Sequence, residues 1–190
     1  PEQTLSDPNV DVGVQGQGEA CFVAFCDALT DGQPPADIPG VSYKAARGEL
    51  VMGSKSKMAD QNQFGRPPFE LIDPAKYLVH ILVGSRALTY HSSTGCPFAC
   101  QFCTVNVEFS YGWTGYSAER CVDELQYLLR RAPMADAIEF ADSNLIVHKK
   151  RTIQLCEGML QADIVRPWIA FGRPDQLAKL PREVWKLMAK

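Results

Sequence analysis

Cys96, Cys100 and Cys103 stand in the stretch GCPFACQFC, residues 95–103, separated by three and then two residues. A loop that opens with Gly95 and Pro97 can curl until three sulfurs converge, which a strand or a straight helix does less well. Thiolates in this number suit zinc or an iron–sulfur cluster. A structural zinc site takes a fourth ligand, ordinarily from a second CxxC or a paired histidine. His91 is the nearest histidine, on the incoming strand, and His80 and His148 are isolated. The zinc reading therefore lacks its second half. A four-iron cluster held by three thiolates leaves one iron without a protein ligand, and an open coordination position is where substrate or cofactor binds.

The elements that must position this loop follow in order. ALTYHSS (87–93) suits a buried strand that leads into it. Ser117 is a good N-cap for a helix over 118–131, with Val122, Leu125, Leu128 and Leu129 as its apolar stripe. AIEFADS (137–143) reads as an alternating strand, residues 148–162 as a second helix, and WIAFGRP (168–174) as a third strand. Pro181 opens a last helix. A β-α-β-α-β-α order implies α/β architecture with parallel strands, in a barrel or an open doubly wound sheet. Chemistry then collects at the carboxyl ends of the strands.

The cysteine loop, ADSN and GRPD all fall at such ends and share a rim. Asp142 or Ser143 can accept hydrogen bonds from an ammonium group; the competing reading of Asp142 is a cap or loop ion pair. Arg173 can fork onto a carboxylate, or form a salt bridge to Asp175 or Glu139. The aromatic run FSYGWTGY (109–116) either lines a substrate pocket or packs the loop.

The 190 residues, 46% of them hydrophobic, suffice for one sizeable core or a core with a small appendage. A net charge of −3 without a basic patch argues against nucleic acid as a partner. The run HKKR (148–151) reads as a solvated helix start. No apolar stretch approaches the ~20 residues needed to cross a bilayer, and no secretory leader is visible. Seven cysteines, an odd count without a disulfide framework, point to a reducing, cytoplasmic setting. Cys21 and Cys26 point in different directions from one helix, and Cys121 and Cys156 read as core residues. The start at Pro1 and the uncapped end PREVWKLMAK suggest a fragment truncated at both ends.

Near the start, VDVGVQGQGE (10–19) looks like a strand entering a Gly-rich turn, and ACFVAFCDAL (20–29) like a short apolar helix. Such a pair needs further strands to bury its faces and reads as the tail of an upstream α/β domain. From Thr30 to Tyr77 the chain turns to Gly, Pro, Ser and Asp, with a small hairpin in IPGVSYKAARGELV and a linker carrying RPPFELIDP. The expected division is 1–30, 31–77 and 78–190.

CPFACQFC resembles the three-cysteine loop of the radical S-adenosylmethionine (radical SAM) enzymes, including an aromatic residue, Phe102, before the last cysteine. The resemblance runs from about Leu78 to Lys190 and implies the first half of that family's partial (β/α)6, TIM-like barrel. It implies that Cys96, Cys100 and Cys103 ligate a [4Fe-4S] cluster and that the open iron chelates S-adenosylmethionine. Phe102 would border the adenine, Asp142 or Ser143 would approach the methionine amino end, and Arg173 would be a further cofactor-binding residue. One electron, from a donor such as flavodoxin or ferredoxin, would then release methionine and a 5′-deoxyadenosyl radical that attacks a small-molecule or peptide substrate. Many relatives carry Arg before the GCP glycine, where this chain has Thr94.

VQGQGEACFVAFCDAL and IPGVSYK are similar to the end of the Rossmann-like cobalamin-binding domain that precedes the barrel in one class of the family. That likeness implies that Gly16 and Gly18 approach the cofactor's nucleotide tail closely. A dinucleotide fingerprint fits worse, because Cys21 stands where a third Gly belongs. With cobalamin, methyl transfer to an unactivated carbon is the leading reaction type. The alternatives are a radical enzyme without cobalamin, methylthiotransferase-like, and a non-catalytic zinc or iron–sulfur module.

Overall fold

The computed structural model describes residues 2–45 and 47–190; Pro1 and Ala46 lie outside them. The first part holds α1 (Glu2–Leu5), β1 (Val12–Val14), α2 (Glu19–Thr30), β2 (Val41–Lys44) and β3 (Leu50–Val51). β4 (Val79–Ile81), β5 (Gly84–Tyr90), β6 (Ser93–Gly95), α3 (Val105–Phe109) and β7 (Trp113–Gly115) follow. The chain then runs through α4 (Ala118–Arg131), β8 (Ala137–Phe140), α5 (Lys149–Gln161), β9 (Trp168–Ala170), α6 (Pro174–Leu177) and α7 (Arg182–Met188).

The main sheet has the order β4-β5-β8-β9. β5, β8 and β9 are parallel, as the two helical crossovers α4 and α5 require, and β4 pairs antiparallel on the edge. That edge hairpin carries no signal that the sequence reading detected. The expected α/β fold, the opening half of a partial barrel, is what the chain adopts.

α4 starts where Ser117 predicts: its hydroxyl accepts the Arg120 amide at 3.2 Å. Val122, Leu125, Leu128 and Leu129 pack the helix onto Leu88, Tyr90, Ile138 and Phe140, with Leu155 and Met159 of α5 closing the core. Alternation along 137–143 does not hold. Ala137, Ile138 and Phe140 are all essentially inaccessible, because β8 is the middle parallel strand and is covered on both faces.

The first part builds a separate antiparallel sheet, β1-β2-β3. The partner that β1 takes is the downstream hairpin strand β2, with Val12 opposite Tyr43 and Val14 opposite Val41. Residues expected to be a linker act as a strap from the first sheet to β7 and α4. Ser56 Oγ donates to the Gln15 carbonyl at 3.1 Å and Gln17 Oε1 accepts the Ala59 amide at 2.6 Å. Further along, the Gln61 amide reaches Thr114 Oγ1 at 3.2 Å and Asn62 Oδ1 accepts the Ser117 amide at 2.8 Å. Arg120 reaches back from α4 to the carbonyls of Gln61, Phe64 and Gly65.

Candidate functional site

β5 delivers the chain to the cysteine loop through Ser92 and Ser93, both buried. Asp142, fully buried at the end of β8, accepts the Ser92 amide at 3.2 Å, the Ser92 hydroxyl at 2.8 Å and the Ser93 hydroxyl. Arg151 closes the other side. Its Nη2 donates to the Ser92 carbonyl at 2.7 Å and its Nε to the Tyr116 carbonyl at 2.6 Å. A carboxylate and a guanidinium thus grip one residue from opposite sides, at the point where strand becomes loop.

The reading of HKKR as a solvated helix start is corrected at Arg151, which is 92% buried, while Lys149 and Lys150 are exposed. The helix turns its fourth basic residue inward because buried carbonyls and the Trp113 ring, 5.8 Å from the guanidinium carbon, receive it. His148 is the N-cap of α5, its Nδ1 accepting the Arg151 amide at 3.3 Å.

The loop itself is closed by a short antiparallel ladder. β6 pairs with β7, placing Gly95 opposite Trp113. Gly95 has φ of +82°, and a Cβ there would lie 2.3 Å from the Gly112 carbonyl oxygen. Only glycine fits this neck. Thr94 takes a hydrogen bond from the strap through Gln61 Nε2. Within the loop the Cys103 amide donates to the Cys100 carbonyl at 3.1 Å, and Asn106 Nδ2 reaches the same carbonyl at 3.4 Å. The aromatic run packs this neck: Trp113 stacks on His148 with ring centroids 6.4 Å apart.

Cys96 is buried, and Cys100 and Cys103 are partly accessible. All seven cysteines are free thiols. Among the described residues no three His, Cys, Asp or Glu side chains are gathered as they would be around a single metal ion. Three soft thiolates on one pinched loop are a donor set that suits an iron–sulfur cluster.

Of the other rim residues, Arg173 comes to the loop. Its Nη1 lies 2.8 Å from Cys100 Sγ, its Nε binds Asp175 Oδ1 at 2.9 Å, and its guanidinium carbon sits 4.4 Å over the Phe98 ring. The hydrogen bond to Arg173 holds the Asp175 carboxyl below its ordinary range. Ser143 is exposed beside this rim, and Phe102 is 92% exposed. Asp142 does not reach the rim, since the two serines already use its oxygens.

Gly16 and Gly18 separate. Gly16 has φ of +88°, and a Cβ there would lie 2.9 Å from Ser56 Oγ, so the close approach at this turn is made by the chain's own strap. Gly18 has φ of −87° and caps α2 without special geometry. Beside them lies a cavity of about 540 Å³ lined by Gln17, Cys21, Ile38, Pro39, Lys57 and Phe64, among others. Gln17 Nε2 is buried without a partner among the described residues.

Three residues that the sequence reading passed over hold the site: Ser92, Ser93 and Arg151. The paired hydroxyls directly before TG were the available signal for the first two. Behind them a second buried pair, Tyr90 and Glu124, is joined at 2.7 Å, and burial pushes the Tyr90 phenol far above its ordinary range.

No family model matches the chain. An uncharacterized methyltransferase of Pyrococcus horikoshii is 30% identical over 188 residues, covering 96% of this chain and 40% of the relative. An anaerobic magnesium-protoporphyrin IX monomethyl ester cyclase of Rubrivivax gelatinosus is 25% identical over 174 residues, covering 88% of this chain and 30% of the cyclase. The solved structure of OxsB, a cobalamin-dependent S-adenosylmethionine radical enzyme, superposes on all of this chain with a TM-score of 0.72 at 19% identity. The chain thus shares its fold with part of a cobalamin-dependent S-adenosylmethionine radical enzyme. It spans 28% of OxsB and 40% of the Pyrococcus relative, so the likeness covers part of a longer chain in each.

Proposed function

We propose that this chain is the cluster-bearing portion of a radical SAM enzyme that cleaves S-adenosylmethionine reductively and, with cobalamin, transfers a methyl group to an unactivated carbon. The observation that carries the proposal is the loop pinched at Gly95, on which Cys96, Cys100 and Cys103 are the only cysteines. A [4Fe-4S] cluster held by Cys96, Cys100 and Cys103 would supply one electron to the sulfonium of S-adenosylmethionine.

The chain's own residues divide the remaining work. Cys96, Cys100 and Cys103 are the cluster ligands. The clasp of Asp142 and Arg151 on Ser92 fixes where the loop leaves the sheet. Ser143 and Phe102, both exposed on the rim side, are the groups left to meet the methionine and adenine ends. Arg173 Nη2 has no partner among the described residues and is the guanidinium edge available to a carboxylate.

Residues 78–190 form the radical SAM core in this reading, and residues 1–30 the end of the cobalamin-binding part. Phe22, Val23 and Leu29 of α2, each more than half exposed, support the second assignment. The cobalamin reading rests on the class and on the cavity beside Gln17, and not on Gly16 and Gly18 as a cradle. No helix is long and apolar enough to cross a membrane among the described residues, and seven free thiols fit a cytoplasmic enzyme served by a flavodoxin or ferredoxin.

Anaerobic reconstitution tests the proposal. Four iron and four sulfide per chain are expected, with paramagnetic resonance of the reduced sample perturbed by S-adenosylmethionine. Replacing Cys96, Cys100 or Cys103 with Ala removes the iron and the brown absorbance, whereas Cys121→Ala keeps both. One zinc without sulfide, or full iron in the triple variant, overturns it. Cobalt binding by the intact protein decides the cobalamin step separately.

A further inference from the structure

We infer that Arg173 sets the reduction potential of the cluster, through a hydrogen bond to the sulfur of Cys100. The inference rests on the cluster reading above and gives Arg173 a task besides meeting a carboxylate. Its Nη1 reaches Cys100 Sγ at 2.8 Å from 73 residues away. The contact is held in place from three directions. Pro174 opens α6 immediately after Arg173. Asp175 takes Nε at 2.9 Å, and the Phe98 ring lies under the guanidinium at 4.4 Å. Of the other two cysteines in the loop, neither has a charged hydrogen-bond partner among the described residues.

A guanidinium stays protonated, so its charge beside the loop is permanent. One-electron reduction, by a low-potential one-electron reductant, adds a unit of negative charge to the cluster and its thiolates; no bond forms or breaks and Arg173 keeps its proton. An N–H···S contact and a nearby cation stabilise the more negative state, so they raise the potential. Asp175, half exposed on the other edge of the guanidinium, offsets part of this charge but leaves the hydrogen bond to sulfur intact.

The test uses the full chain, reconstituted anaerobically, unsubstituted and as R173M and R173K. Iron and sulfide are counted, and the reduced fraction is followed by paramagnetic resonance during a redox titration. Four irons are expected in all three. At a fixed solution potential the reduced-to-oxidised ratio of R173M is expected to fall about tenfold, which for one electron is about 59 mV. R173K, which keeps the charge and loses the fork, shifts in the same direction by less. A fully loaded R173M with an unshifted midpoint overturns the inference. Should R173M take up no iron, an unshifted R173K does so. An unsubstituted chain without iron overturns the cluster reading itself, and the inference with it.

Discussion

The parallel strands β5, β8 and β9 and the antiparallel strands β1, β2 and β3 are both three-stranded units, held by different means. The parallel unit has a closed interior: Leu88, Ile138 and Phe140 meet two helices, and among the buried polar groups Tyr90 pairs with Glu124 and Ser92 with Asp142. The antiparallel unit buries Val41 and Ser42 and leaves β3 exposed. α2 beside it buries only Cys21. What fastens that unit is the strap: Ser56 Oγ donates to the Gln15 and Gln17 carbonyls, the Ala59 amide to Gln17 Oε1, and the Gly53 amide to the Ser42 hydroxyl. Burial on both faces makes a strand insensitive to any one polar contact but costly to disturb from within. A strap concentrates its hold on a few turns.

The largest expected effect lies in the closed unit. Asp142→Ala strips the acceptor from two buried hydroxyls and an amide, and is expected to cost about 4 kcal/mol in urea unfolding. A loss below about 1 kcal/mol would show that Ser92 and Ser93 repair themselves with water, and the clasp would not be structural. Gly16→Ala probes the strap, because it combines a positive φ with a collision at Ser56. About 2 kcal/mol is expected, against a change within about 0.5 kcal/mol for Gly18→Ala, whose backbone is ordinary. Equal costs at the two glycines would remove the strap from the account.

Thiol chemistry sharpens the contrast without substitution. Burial pushes the Cys156 thiol up to about 11, so its thiolate fraction at pH 8 is roughly one in a thousand. Its alkylation rate is expected to rise about tenfold per pH unit from 8 to 10, whereas the exposed Cys26 on α2 is labelled at once. Prompt labelling of Cys156 at pH 8 would mean that the closed unit opens. The smallest loss expected of a removed contact is Ser117→Ala, about 1 kcal/mol for the N-cap of α4, read from the same urea curves.

The division between what was legible and what was not follows distance along the chain. The helix over 118–131 was readable because its cap and its apolar period are written in adjacent residues. The hairpin over 41–51 was readable for the same reason. β8 was readable as a strand but not as a doubly covered one, since alternation cannot reveal that a middle strand is buried on both faces. Arg151 was misread because a basic run looks solvated until the chain brings carbonyls to it from residues 92 and 116.

By itself the sequence determined the three thiolates, their spacing, the turn residues that let them share a loop, and the alternation of strand and helix that follows. These are local properties, fixed by side-chain chemistry and backbone preference over a few positions. Tertiary structure alone decided that Asp142 faces two serines, that Ser56 fills the turn at Gly16, and that Arg173 reaches Cys100. Each of those pairs joins residues 40 to 73 positions apart. Such meetings depend on how the crossovers and the strap bring distant segments together, which no short window of residues records.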